Sequence, residues 1–147
     1  MKVSELPRLT GETLGPTAWS VLSQDAVDRF ADLTDDHNPV HVDPAFAAGT
    51  TFGGTIAHGY LTVALLAPAA RELLRVQDAS LAINYGLDRL RFTSPLRVGE
   101  RFRTTGLVTA ADVIEGDGCQ LSMTMTVQAE DGNRPVAVAE ALFRYYA

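Results

Sequence analysis

Residues 58–75 read HGYLTVALLAPAARELLR, and the fold turns on how that stretch is interpreted. Leu61, Ala64, Leu65, Ala69 and Leu73 recur at helical spacing, while Val63, Leu66, Ala67 and Ala70 make the other faces apolar too. A helix that is apolar nearly all round is predicted to be buried. Pro68 lacks a backbone donor and is expected to kink it. The most apolar run, Leu61 to Ala70, falls far short of the ~20 residues that cross a bilayer. The segment therefore reads as a long central helix of a protein core.

Downstream the period changes from helical to two. Cys119, Leu121, Met123, Met125 and Val127 alternate strictly with Gln120, Ser122, Thr124, Thr126 and Gln128, the pattern of a half-buried strand. Leu90 and Phe92 alternate with Arg89, Arg91 and Thr93. Phe102, Thr104, Gly106 and Val108 do the same against their neighbours, and residues 135–146 place Ala137, Ala139, Ala141, Phe143 and Tyr145 on one side. Turn residues fill the gaps at 95–99, 115–118 and 131–134. Strands joined by such short turns pair antiparallel, because a parallel crossover needs a dozen residues or more. The fold class is α+β: an antiparallel sheet of about five strands wrapped around one long helix. A wrapped, open sheet leaves an unpaired edge strand, and such edges are normally covered or paired, so edge-to-edge association into a homodimer is expected.

Upstream, residues 17–22 read as a short strand. Ser23 stands where an N-cap is expected, ahead of a helix over residues 24–33 with Ala26, Val27, Phe30, Ala31 and Leu33 on its apolar face. The following TDDHNPVHVDPAF contains Pro39 and Pro44 and is expected to be ordered loop rather than regular helix.

Composition narrows the possible functions. The chain has 147 residues, 46% of them hydrophobic, and a net charge of −6. One domain spanning 1–147 is expected. A nucleic-acid or anionic-membrane partner needs a basic face, which this charge balance argues against. The single cysteine, Cys119, excludes an internal disulfide and a cysteine-based metal centre. The opening MKVSELPRLTG has no apolar leader. A cytoplasmic location is the expectation.

The polar residues are concentrated. Asp36 and His41 lie five residues apart around Asn38 and Pro39, a separation a folded loop can close. A carboxylate and an imidazole converging on one water form a general acid–base pair. By residue type alone, the same stretch also reads as an Asx turn with a structural histidine. His58 and Gly59 open the long helix, whose first N–H groups carry partial positive charge and suit an oxyanion. A capping histidine followed by an N-terminal glycine is the plainer alternative. The glycine-rich run 49–54 lies between the two sites and can fold one over the other. His37 and His41 are close, but no further imidazole or thiolate completes a zinc set, so no metal is expected.

The order D-x-N-P-x-H-x-D-P-x-F-A, then F-G-G-T-I-A-H-G, then NYGLDRLRF with P-x-x-V-G after it, resembles the MaoC-like, (R)-specific enoyl-CoA hydratase (hydratase 2) family. The likeness runs from about Thr34 to Gly99. It implies a hot-dog fold, a homodimer, and reversible syn addition of water to a trans-2-enoyl thioester. It also implies that Asp36 and His41 hold the attacking water and that the Gly59 N–H polarises the thioester carbonyl. Asn38, His58, Asn84, Tyr85 and Arg91 are assigned to substrate binding. No cofactor is expected, with a coenzyme A thioester as substrate. Two positions depart from the pattern: Ala67 stands where some members carry a helix serine, and Asp35 where glycine often precedes the aspartate.

Arg89, Arg91, Arg97, Arg101 and Arg103 either meet coenzyme A phosphates or form a solvated strand face. Asn84 and Tyr85 either line an acyl pocket or end a strand. Other functional readings are a dehydratase acting on an acyl carrier protein, a hot-dog thioesterase, and a non-catalytic acyl-binding domain.

Overall fold

A computed structural model describes residues 1–147. Its sheet has six antiparallel strands: β1 (Thr13–Leu14), β2 (Ser20–Val21), β3 (Leu81–Phe92), β4 (Arg101–Ile114), β5 (Gly118–Ala129) and β6 (Ala137–Tyr146). The order is β1-β4-β5-β6-β3, with β2 also on β4. The two short strands cover the outer edge of β4, whereas the outer edge of β3 has no partner strand. The predicted alternation holds in β5 and β6, where every second residue is buried. Leu121, Met123, Met125 and Val127 are each at most 1% exposed. They anchor a cluster of 22 buried residues that also takes in Leu66, Ala70 and Leu74 from the helical segment.

Ser23 caps helix α1 (Gln24–Thr34), accepting from the Ala26 N–H at 3.2 Å. Asp35 ends this helix in the left-handed conformation at φ 56°, a common way for the chain to leave a helix sharply.

Three expectations need correction. The proline-rich stretch is not irregular: it holds two short helices, α2 (Pro39–Val42) and α3 (Pro44–Ala48), each with its proline at the first position. There the missing N–H would have had no partner in any case. Asn38 and Asp43 cap them, accepting from Val40 and Phe46 N–H at 3.2 and 3.0 Å.

The long helix is divided into α4 (Gly59–Ala64) and α5 (Leu66–Leu73). The break falls at Leu65, not at Pro68. Pro68 withdraws the donor owed to the Ala64 carbonyl and its ring crowds that group, so the disturbance appears one turn earlier.

Nor is this helical segment enclosed. Thr62, Leu66, Ala70 and Leu74 form one buried row, while Tyr60, Ala64 and Pro68 are exposed. Val63, Ala64, Leu66 and Ala67 line a cavity of about 250 Å³, facing Asn84, Leu87 and Phe143.

Candidate active site

Asp35 turns the chain so that the Asp36 N–H donates back to the Ala31 carbonyl at 3.1 Å and its carboxylate faces solvent. Helix α2 then brings His41 round towards the start of α4. The ring is fixed by its Nδ1–H, which donates to the Ile56 carbonyl at 2.8 Å. The Ile56 N–H in turn donates to the Val40 carbonyl at 3.1 Å. With Nδ1 committed to a carbonyl, the neutral ring carries its lone pair on Nε2. Burial pushes the His41 pKa below its ordinary 6.5, against the Ile56 hydrogen bond, and the neighbouring His58 adds to the lowering.

His58 is 1% exposed. Its Nε2–H donates to the Asp36 carbonyl at 2.9 Å, and its ring stacks on His41 with centroids 3.9 Å apart. One carboxylate oxygen of Asp36 and one nitrogen from each of His41 and His58 all lie within 4.8 Å of one another.

The glycine-rich run acts as anticipated in sequence, looping back so that residues 55–57 lie beside the Asp36–His41 loop. Gly53 there has φ +69°. Gly59 is the first residue of α4, with an N–H that no intrahelical carbonyl can take. His41 and Gly59 line one cleft of about 340 Å³ together with Phe52, Thr62, Phe92 and Leu96. Asp36 stands beside this cleft rather than in its lining. Glycine at 59 has a packing reason as well: a Cβ there would lie 2.8 Å from the Phe92 ring.

The other predicted residues divide. Asn38 supports the loop, as its cap shows. Asn84 faces the helical segment in the apolar cavity. Tyr85 and Arg91 do not reach the cleft. Tyr85, next along the strand from the cavity-facing Asn84, points to the opposite face of the sheet, with the Arg144 guanidinium 3.3 Å from its ring centre. Arg91 pairs with Val138, on the face opposite Phe92, and is exposed. His58 is too deeply buried to bind substrate. His37 turns away and its Nε2–H donates to the Asp32 carboxylate at 2.8 Å, which raises its pKa.

Gln24 carries a role that sequence reasoning missed. Its amide donates to the His41 carbonyl at 2.7 Å and accepts from Thr55 Oγ1 at 2.6 Å, tying α1 to both halves of the site. At the head of a helix with charged neighbours it reads as solvent-facing, and no pattern marks it.

His58 is the further imidazole that the spacing of His37 and His41 did not supply. One nitrogen of each ring is committed to a carbonyl. The rings are stacked at an interplanar angle of 30°.

The profile of the MaoC like domain matches residues 5–133. The chain is 40% identical over 145 residues to 3-hydroxyacyl-thioester dehydratase Z of Mycobacterium tuberculosis, covering 99% of this chain and 96% of the relative. Among solved structures it is similar to the R-hydratase PhaJ1 from Pseudomonas aeruginosa, with TM-score 0.73 and 28% identity over 93% of this chain and 81% of that one. It is also similar to the (R)-hydratase from A. caviae, with TM-score 0.70 and 28% identity over 91% and 94%. Fold, site and relatives together define a hydro-lyase with the hot-dog fold. More narrowly, the chain belongs to the MaoC-like dehydratase family. No helix in it is long and apolar enough to cross a membrane.

Proposed function

We propose that the protein is an (R)-specific enoyl-CoA hydratase, which adds water reversibly and syn across a trans-2-enoyl-CoA to give the (R)-3-hydroxyacyl-CoA. The observation that carries this reading is the meeting of Asp36 with His41, whose ring shares a cleft with the first amide of α4. In this mechanism the Asp36 carboxylate and His41 Nε2 hold one water. Asp36 takes a proton as the water oxygen bonds to C3. The dyad returns a proton to C2 on the same face, with His41 guiding it, so both groups end as they began. Negative charge gathering on the thioester oxygen is met by the Gly59 N–H, a donor worth about 2.7–4 kcal/mol in comparable sites. Neutral His41 suits this work, since an imidazolium could not accept from the water.

Coenzyme A enters only as part of the substrate, and the chemistry calls for no cofactor. The cavity next to the cleft along α4 and α5 suits an acyl tail. Ala67 lines it, so no hydroxyl approaches substrate from that position. The free edge of β3 exposes Leu81, Ile83 and Leu87, and a second copy pairing there would make the homodimer. Sedimentation at micromolar concentration should show a dimer that Ile83→Glu dissociates; a monomeric wild type would contradict the pairing.

A second reading, the same reaction run as a dehydration on an acyl carrier protein, draws support from the dehydratase named in Mycobacterium tuberculosis. One assay series tests both. Loss of enoyl absorbance with crotonyl-CoA, followed by chiral analysis, should give the (R)-3-hydroxy product. Turnover of the carrier-protein thioester alone would favour the second reading, and release of free thiol would favour a thioesterase.

A further inference from the structure

We propose that His58 is the positioning residue of this site, a single imidazole that fixes Asp36, His41 and the first amide of α4 relative to one another. The inference rests on the hydratase reading above and adds to it. His58 is 1% exposed and absent from the cleft lining, so it does not reach substrate. It touches the three groups that would. Its Nε2–H holds the Asp36 carbonyl at 2.9 Å and so pins the main chain from which the carboxylate projects. Its ring is the surface on which His41 lies, at a centroid distance of 3.9 Å. Phe30 closes in from helix α1 at 5.0 Å. Its own main chain is the N-cap of α4, which places the Gly59 N–H one residue on. Gln24, by comparison, reaches only the His41 main chain among these groups.

The hydrogen bonding also defines the tautomer. Donation to a carbonyl puts a proton on Nε2, and in the uncharged ring that leaves Nδ1 as a lone pair. Nδ1 is buried and has no partner. A buried acceptor without a donor is a cost that a phenyl ring would not carry. What the imidazole contributes is therefore the pairing of a donor at Nε2 with a flat stacking surface. Phenylalanine keeps only the surface; glutamine keeps only a donor at similar reach.

Two variants and one spectrum test this. His58→Phe should lower kcat for crotonyl-CoA hydration by about 100-fold with KM little changed, the signature of displaced reacting groups rather than lost binding. His58→Gln should recover about tenfold of that loss by restoring the donor to Asp36. In the wild-type protein carrying ¹⁵N-labelled histidine, His58 at the activity optimum should show its proton on Nε2 and an unprotonated Nδ1. The proposal is overturned if folded His58→Phe retains wild-type kcat, if His58→Gln is no better than His58→Phe, or if the proton sits on Nδ1. Should neither variant fold, the wild-type spectrum decides. An inactive Asp36→Asn beside a fully active His58→Phe would sink the positioning role alone. A wild type without hydratase activity would sink the functional reading, with the spectrum still testing the clamp.

Discussion

The loop from Asp35 to Gly59 and the sheet from Leu81 to Tyr146 are held together in different ways. In the sheet, alternate side chains of β5 and β6 are sealed in the core, and each fully buried apolar side chain is worth about 1.5–3 kcal/mol. In the loop, position depends on a few polar contacts: His41 to Ile56, His58 to Asp36, Gln24 to His41 and Thr55. Such bonds contribute about 0.5–1.5 kcal/mol each, enough to orient a side chain but not to fold a domain. Stability and chemistry should therefore respond to different substitutions.

The sharpest separation comes from Asp36→Asn. It should reduce crotonyl-CoA hydration by about 10³-fold while leaving the melting temperature unchanged, because the carboxylate is solvent-exposed and makes no hydrogen bond within the chain. Matched losses of activity and stability would erase the distinction between the two regions. The converse is Leu121→Ala, at a fully buried β5 position. Urea denaturation should show a loss of about 2–5 kcal/mol, with kcat per folded molecule preserved at low temperature. Between these lies Gly59→Ala, where the added methyl meets the Phe92 ring. Activity should fall by about tenfold as ring and amide shift apart; wild-type kcat would mean that this amide takes no part.

The mildest effect is on pH dependence. His41 has its pKa lowered by burial, so the ring stays neutral to lower pH than a free histidine. The plateau of kcat/KM should persist as pH falls through 6.5, with the acid limb below it. An inflection at or above that value would show that the dyad environment has been misread. Stability follows the same sign. Below the unfolded-state value the unfolded chain binds the proton more readily, so this contribution falls away as pH drops towards the folded-state pKa.

The same two regions explain what was legible beforehand. Alternation in 119–128 and 135–146 reports one buried face directly, and those strands form where the pattern places them. Ser23 as an N-cap is equally local. The pairing of Asp36 with His41 was visible as a spacing, but the stack on His58 was not, since the two histidines are 17 positions apart and meet through the return of the Gly49–Gly54 turn. For Tyr85 and Arg91 residue type leaves two readings open, pocket lining or strand end for the one and phosphate contact or solvated strand face for the other, and the structure places both away from the cleft. Apolarity around 58–75 reads as burial. In this chain part of it lines a cavity instead, and residue type alone does not separate packed surface from cavity wall.

The most direct test is a crystal structure of Asp36→Asn with (2E)-butenoyl-CoA trapped in the cleft. The thioester oxygen should lie on the Gly59 N–H, with a water held between residue 36 and His41 Nε2, facing C3. A thioester bound elsewhere, or a C3 turned away from that pair, would contradict it.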